Sequence, residues 1–543
     1  MKSVHNFGKI VRFILRRDRL YLPLWTMGIV FLAIFFVPMF PEFFGDEQSR
    51  AILTEMMKNP AMIAMIGISY GDGPGAMYAL FMLVWAALGA GIFNILFVVR
   101  HTRKDEEEGR SEMLAALPLG RSANLLAVLL VALLADLAIT ALTAMLIPAF
   151  GVEGLDVSGA LVFSAALGAT GFVFAAITAL MAQVFSTSKS TLISAFVLLG
   201  ISYLLRAAGD MSSSFELASL ISPLGLAERC QAWIENLYWP ILVLAAEAVC
   251  FFVAAFVILS VRDTGAGLFT ERHGRSYAPA LLRGELGLAW RLTRSICIGW
   301  VVVMLILGAS YGSIFNDMSS FMESNVVYAT IIGGDSGAEK DMMESFISFL
   351  LMLMAIVAAI PVCMVVLKLK AEERRGRLEQ VVAKRVSRVR LMASYLLIAL
   401  VLGVALQVCT PLGMYASAAA MMDAPPALDT MILASLNYLP AVAALAGLAA
   451  LLVGLLPRLT SITWLFITYC FLMSYMGNMM LSSAANQGMR DAFDVLLKIS
   501  PFGLLPAWPA EEVNGVLMVG MIAATGLLVV VGAALYRRRD LAG

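Results

Sequence analysis

The sequence predicts an all-helical protein that crosses a membrane many times and consists of two related halves. Hydrophobic residues make up 61% of the 543 residues and charged residues only 14%, and the mean hydropathy is +0.87. Soluble proteins are about half apolar and a quarter charged. Apolar runs of about 20 residues, the length of a membrane-spanning helix, recur along the chain. A charged segment between two such runs occurs twice.

The first element in chain order is a predicted amphipathic helix at the membrane surface, with Phe7, Ile10 and Ile14 on one face and basic residues on the other. The apolar run that follows it is too long for the core of a signal peptide, so we interpret it as a retained first span. Eleven further runs give about twelve spans, six in each half. The predicted spans are residues 21–40, 77–99, 124–150, 160–183, 192–205, 240–261, 296–312, 346–367, 391–419, 435–456, 462–476 and 516–535.

The placement of basic residues predicts the orientation. If the amino terminus lies inside, the great majority of the 38 Lys and Arg residues fall in inner segments. Basic loops are retained in the cytoplasm during insertion, so both termini are predicted to be cytoplasmic. The predicted domains are a first transmembrane half at 1–261, a cytoplasmic linker with a second surface helix at 262–294, and a second transmembrane half at 295–543.

The two halves carry the same landmarks in the same order, which predicts an internal repeat. A Ser-Pro-x-Gly sequence, Ser222 to Gly225, recurs as Ser500 to Gly503 before the last span of each half. Two arginines precede a tryptophan at the start of the first span of each half, with the same spacing before Trp25 as before Trp300. In the charged segments, the aligned pairs are Asp105 with Glu372, Glu106 with Glu373, Gly109 with Gly376, Arg110 with Arg377, and Glu112 with Glu379.

Several classes of function have no motif in this chain. It contains no G-x-x-x-x-G-K-[ST] phosphate loop, no H-E-x-x-H and no G-x-S-x-G, and its three histidines are isolated. The six cysteines have no C-x-x-C spacing, which argues against a metal site or disulfide framework. The formal net charge of zero does not indicate nucleic acid. We expect neither enzyme activity nor a cofactor nor a metal in this chain by itself.

Polar residues inside the apolar runs have two interpretations. Asp136 and Glu247 are acids in predicted spans, and buried charge in a membrane marks either a substrate or proton site or a hydrogen bond between helices. Asn94, Gln407 and Asn437 could line a cavity or hold helices together.

The repeated charged segment predicts a docking surface. Each copy places mixed charge beside apolar residues such as Leu114 and Val381. A solvated basic loop is the simpler alternative and explains the basic residues, but it does not explain why the Glu, Gly and Arg register is kept in both halves. Docking of two identical partners explains it.

The chain resembles fused, double-length permeases of the ABC-2 exporter type, and most closely the tetronasin/polyketide-antibiotic exporter permeases of Gram-positive bacteria. The resemblance rests on the segment 15–25 before and into the first span, on the Gly-Arg-x-Glu sequences at Gly109 and Gly376, and on the two Ser-Pro-x-Gly landmarks. It covers essentially the whole chain.

The resemblance implies surface helices at 7–19 and 282–294, coupling helices at 106–117 and 373–384, and outer gates within 221–239 and 499–508. It also implies a separate ABC ATPase, bound in two copies and carrying ATP and Mg, that drives export of a hydrophobic or amphipathic, drug-like compound across the bacterial cell membrane by alternating access. The implied ATPase-coupling residues are Glu106, Gly109, Arg110, Glu112, Leu114, Glu373, Gly376, Arg377, Glu379 and Val381. The implied outer-gate residues are Ser222, Pro223, Gly225, Ser500, Pro501 and Gly503.

The sequence departs from strict symmetry where Glu108 aligns with Arg375, so the two docks are expected to be unequal. A proton-coupled secondary multidrug transporter is the alternative from another class, and it would depend on membrane-embedded acids such as Asp136 and Glu247. A membrane scaffold or sensor that transports nothing is a third possibility.

Overall fold

The computed structural model confirms an all-helical membrane protein. It describes residues 7–38, 60–110, 122–211, 215–262, 284–313, 339–383, 386–422, 425–482, 487–509 and 514–539, with a few single residues between them. No strand occurs in these ranges. The chain divides into two compact units, Met1–Gly274 (unit 1) and Arg275–Gly543 (unit 2). The division falls within the predicted linker at 262–294.

Unit 1 contains eleven helices in its described part. They are α1 (Phe7–Arg17), α2 (Tyr21–Ile34), α3 (Pro60–Met65), α4 (Pro74–His101), α5 (Arg103–Glu107), α6 (Ala123–Ala149), α7 (Val157–Val184), α8 (Ser188–Met211), α9 (Glu216–Ile221), α10 (Pro223–Glu228) and α11 (Trp239–Val261).

Unit 2 contains nine α-helices in its described part. They are α12 (Glu285–Gly312), α13 (Glu339–Arg374), α14 (Arg377–Val382), α15 (Arg388–Met421), α16 (Leu428–Leu436), α17 (Leu439–Leu455), α18 (Ile462–Ser482), α19 (Gln487–Ile499) and α20 (Gly515–Arg538).

Ten helical segments of the described residues are long and apolar enough to cross a bilayer. They correspond to ten of the predicted spans, including the short fifth one, which is α8. The predicted first and eleventh spans are not among these ten. The first is α2, an apolar helix of only 14 residues, and the eleventh corresponds to α18. The count of twelve therefore stays a prediction.

One helix in each unit is central. In unit 1, 78% of the most apolar 18-residue stretch of α7 is buried, and this helix packs against α4, α6 and α11. In unit 2, 72% of the corresponding stretch of α13 is buried, and this helix packs against α15 and α17. By contrast, only 17% of the most apolar stretch of α11 and 6% of that of α20 are buried within the structure. The last predicted span of each unit thus lies at the edge of its unit.

Glycines allow close helix contacts in unit 2. A Cβ added to Gly454 of α17 would lie 2.1 Å from the carbonyl oxygen of Gly532 in α20. A Cβ on Gly308 of α12 would lie 2.3 Å from the carbonyl oxygen of Thr410 in α15. Small residues at these crossings let the helix backbones touch, as in other membrane bundles.

The two predicted surface helices fold differently. In unit 1, α1 ends at Arg17, and α2 begins only at Tyr21. In unit 2, the prediction of a separate helix at 282–294 is wrong, because α12 runs without a break from Glu285 to Gly312. Where unit 1 has Asp18, unit 2 has Thr293, whose hydroxyl donates to the carbonyl of Ala289 in the same helix. Nothing at that position interrupts α12.

Candidate functional site

The first charged loop, defined here as residues 103–110, is closed by an ion pair across a glycine. It comprises α5 and the turn that follows. Gly109 has a φ of +71°, a left-handed conformation that glycine adopts at little cost. The turn brings Arg110 back to Asp105, with Nη2 2.7 Å from Oδ1 and Nε donating a hydrogen bond to the same oxygen.

The second charged loop, defined here as residues 370–382, repeats this construction. Gly376 has a φ of +68° between α13 and α14. Its turn brings Arg377 back to Glu372, with Nη1 3.2 Å from Oε2. Both loops therefore close an acid onto the arginine five positions later, around a left-handed glycine.

The first acid of each loop is turned into the protein. Asp105 is 5% exposed and also receives a hydrogen bond from Arg17 of α1, at 2.9 Å. Glu372 is 4% exposed and lies 3.2 Å from Lys368 of α13. These acids consequently hold the loops in place and offer little surface to a partner.

The second acid of each loop binds an arginine that the sequence analysis did not identify. Glu106 Oε1 lies 2.6 Å from Nη2 of Arg262, and Glu373 Oε2 lies 2.7 Å from Nη2 of Arg539. Glu106 also lies 2.6 Å from Arg103. The possible sequence signal was an arginine just after the last span of each half, but Arg539 ends a run of three arginines in which no single one stands out.

The surface left for a partner consists of other residues. Glu112 and Leu114 lie outside the described residues, as does most of the predicted coupling helix at 106–117. Leu378 is buried and Val381 is half-buried. The exposed residues of the two loops include Lys104, Glu107, Glu108, Arg374, Arg375, Arg377, Glu379 and Gln380. Three of them already have partners within their unit: Glu107 accepts hydrogen bonds from the backbone and hydroxyl of Ser188, Glu108 pairs with Arg110, and Arg377 pairs with Glu372.

Unit 1 has a further buried charge cluster beside its loop. Asp18, between α1 and α2, lies 3.0 Å from Arg100 and contacts the ring of His101 at the end of α4. Burial raises the pKa of the Asp18 carboxyl. The hydrogen bond and charge of His101 and the charges of Arg100 and Arg17 together lower the pKa by more, so it lies below the usual 3.8. The cluster fastens the start of α2 to the charged end of α4.

Asp136 and Asn94 contact each other in the packed interior of unit 1. Both are buried, and the Asn94 amide donates to Asp136 Oδ1 at 2.9 Å. Gly171 of α7 lies so near that an added Cβ would be 2.9 Å from the same oxygen. This close approach of α4, α6 and α7 favours the helix-packing interpretation.

The other polar residues of the predicted spans are placed similarly. Gln407 accepts a hydrogen bond from Ser435 at 2.9 Å, and the amide of Asn437 donates to the carbonyl of Pro506 at 2.8 Å. Glu247 of α11 is half-buried, and its Oε2 has no hydrogen-bond partner among the described residues. The described structure does not bring Glu247 and Asp136 into one hydrogen-bonded network.

The two Ser-Pro-x-Gly landmarks share one backbone contact but not their helical structure. A Cβ on Gly225 would lie 2.3 Å from the carbonyl oxygen of Ser219, and one on Gly503 would lie 2.5 Å from that of Leu497. In each case the glycine sits over the carbonyl three residues before the landmark serine. Ser222 caps α10, which begins at Pro223, whereas Ser500 and Pro501 enter a turn.

A long apolar groove lies between α12 and α15 in unit 2. Its volume is about 530 Å³, within the range of small-molecule sites. Its lining includes Trp290, Val301, Leu397 and Val401.

Among the described residues of the chain, no three His, Cys, Asp or Glu side chains come together where they could hold a metal ion.

Comparison with known proteins gives a consistent assignment. The family model described as "Multidrug efflux system permease Rv1217c, C-terminal domain" matches residues 8–259 and 282–537. The multidrug efflux system permease protein Rv1217c of Mycobacterium tuberculosis (strain ATCC 25618 / H37Rv) is 32% identical to the chain over 545 aligned positions. That alignment covers 98% of this chain and 94% of the relative.

Proposed function

Since the chain belongs to the multidrug efflux permease family of Rv1217c, we propose that it is the membrane subunit of an exporter driven by a separate ABC ATPase. In this proposal it is a permease of the ABC-2 type with about twelve spans and both termini in the cytoplasm of a bacterial cell. It is not an enzyme by itself. ATP and Mg are bound by the partner, which docks in two copies.

The observation that carries the proposal is the construction of the two charged loops. The first follows α4 and the second includes the end of α13, and each is closed by an acid–arginine pair around a left-handed glycine. A loop needed only to keep positive charge in the cytoplasm does not require this construction. A loop that must meet a partner in a defined geometry does, because a preorganised surface loses less conformational freedom on binding.

The proposed substrate is hydrophobic or amphipathic. The related protein from M. tuberculosis is named as a multidrug efflux permease, and the groove between α12 and α15 is lined by apolar side chains. A site made chiefly of apolar surface accepts varied ligands, because burial of apolar area has no directional requirement.

In the proposed mechanism, the energy of transport comes from the partner. ATP favours the closed form of the ATPase pair, and the charged loops move with the subunits to which they are docked. A conformational change needs a ligand that binds the two states unequally, and ATP meets that condition through the partner. The helices attached to the loops then open a path to the outer side.

Copurification tests this proposal. The tagged permease is purified in mild detergent from the cells that normally produce it, as wild type and as the charge-reversed double variant R375E/E379R in the second charged loop. We expect wild type to retain a stoichiometric ATPase and the double variant to bind it at least about tenfold more weakly. The matched control is K498E, which reverses an exposed charge in an i,i+4 pair with Asp494 beside the landmark at Ser500.

Two results would contradict the proposal in different ways. Equal ATPase retention by R375E/E379R would place the dock elsewhere on the chain. Failure of wild type to retain any ATPase, under conditions that preserve other exporter complexes, would refute ABC coupling. Proton-dependent transport by D136N and E247Q would then be the measurement to make.

A further inference from the structure

The last helix of each unit ends in the same way, at an arginine. The amide of Arg262 donates to the carbonyl of Ile258 at the end of α11, and the amide of Arg539 donates to that of Leu535 at the end of α20. The backbone then leaves the helix at φ −78° and ψ 147° for Arg262 and at φ −72° and ψ 143° for Arg539. The two arginines therefore begin from matching positions.

Each of these arginines reaches the second acid of its own charged loop. Their guanidinium groups lie 2.6 Å from Glu106 and 2.7 Å from Glu373. The side chain of Arg262 is 4% exposed and that of Arg539 16% exposed, so water competes weakly for either pair. Charge-assisted hydrogen bonds at such distances are the strong ones in proteins.

Each of these ion pairs joins two elements that are distant in sequence. Arg262 is 156 residues from Glu106, and Arg539 is 166 residues from Glu373. The first charged loop lies in the chain between α4 and α6, and the second between α13 and α15, so covalent connection joins each loop to the second and third predicted spans of its half. The arginine adds a direct connection from the loop to the last predicted span.

We propose that Arg262 and Arg539 are positioning residues that make each charged loop and the last span of its unit move together. The coupling role rests on the proposed function, in which an ATPase displaces the loops. In that setting, α11 and α20 follow the loops because the arginine pairs connect them. Without the pairs, the loops still dock the partner, but the last spans follow its movement only through their packing on α7 and α17.

Hydrogen exchange of the purified permease without any partner tests the link. The variants are R262Q, R539Q and the exposed-pair control K498Q. We expect R262Q to increase exchange about tenfold in residues 103–110 and at the end of α11, and R539Q to do so in residues 370–382 and at the end of α20. Each variant should leave the other unit unchanged, and K498Q should leave both loops unchanged.

Exchanging the acid and the arginine distinguishes loss of the ion pair from a general loss of folded structure. E373R/R539E exchanges the two members of the pair in unit 2. The double variant should restore exchange in residues 370–382 toward wild type, whereas E373R and R539E alone should not. Wild-type exchange in R262Q and R539Q, or no recovery in the double variant, would overturn the link.

Measurements in the complex with the ATPase test the coupling role. R262Q/R539Q should retain the ATPase in wild-type amount, lose most of the stimulation of ATP hydrolysis by a transported dye such as ethidium, and lose efflux of that dye. Wild-type stimulation and efflux in this variant would reduce the arginines to structural contacts and overturn their role. If wild-type permease retained no ATPase, the proposed function would fail together with the coupling role, while the exchange data would still decide the link itself.

Discussion

Alanine in place of either loop glycine should open its charged loop without disturbing helix packing. Gly109 and Gly376 have φ values of +71° and +68°, and a Cβ added to either would have no atom beyond the chain neighbours within 4 Å. The methyl group would therefore meet free space, and the cost is that of the left-handed backbone alone, about 1–2 kcal/mol. Such a cost increases the open fraction of the loop by about 5–30-fold.

Amide hydrogen exchange measures this open fraction, since exchange from a locally opened segment follows the population of its open form. We expect peptides across the first charged loop to exchange about 5–30 times faster in G109A, and peptides across the second to do so in G376A. The central helices α7 and α13 should keep their wild-type rates. Asparagine tolerates left-handed backbone better than alanine, so G109N and G376N should have smaller effects.

Gly526 in the middle of α20 provides the matched control. It too has no atom within 4 Å of an added Cβ, but it lies in a helix. Alanine there should be neutral or stabilise by about 0.5–1 kcal/mol, because it restricts the unfolded chain more than glycine does. Wild-type exchange in G109A and G376A, or an equal opening of the loops in G526A, would refute the reasoning.

Three further predictions concern packing, buried polarity and pH. G454A should lower the unfolding temperature in detergent by an amount equivalent to about 1–3 kcal/mol, because α17 and α20 must separate where a Cβ would meet Gly532, and the measurement is thermal unfolding beside G526A. D136N should keep stability and transport, whereas D136L should cost about 1–3 kcal/mol because one N–H of the buried Asn94 amide loses its acceptor while the other still donates to the carbonyl of Ala90; loss of transport in a stable D136N would contradict a helix-packing role. The pKa of Asp18 is lowered in the folded state, so its contribution to stability is fully present above pH 3.8 and is lost as the pH falls through the lowered pKa. D18N should therefore be less stable than wild type at pH 7 and should lose less stability on acidification. Thermal unfolding measured from pH 6 to pH 3 tests this.

The sequence was sufficient for the helices but not for the partners of its charged residues. A long apolar run determines its own conformation in a membrane, because every backbone hydrogen bond must be made within the segment. The fifth predicted span, short and flanked by polar sequence, is therefore still found as α8. The partner of Glu106 lies 156 residues away, and no local periodicity contains information at that range.

The error at the second surface helix has the same origin. The basic residues at 291 and 294 match those at 16 and 19, and this similarity predicted similar helices. In unit 1, Pro23 has no backbone N–H to donate to the carbonyl of Arg19, whereas the aligned residue of unit 2 is Ile298. Unit 1 also has Asp18, which is held by Arg100 and His101. Unit 2 has Thr293 at that position, and α12 continues through it. Local resemblance was preserved while the interaction that shaped the structure was not.

Burial also changes which residues of the loops could face a partner. The first two aligned acids of each loop serve as internal anchors, and the two exposed positions that follow them differ in sign, with Glu107 and Glu108 in unit 1 against Arg374 and Arg375 in unit 2. An internal pair constrains both of its members, whereas an exposed side chain is constrained only by what binds it. The framework of the two loops is therefore shared and their surface is not, so two identical partners would meet an acidic loop at one dock and a basic loop at the other.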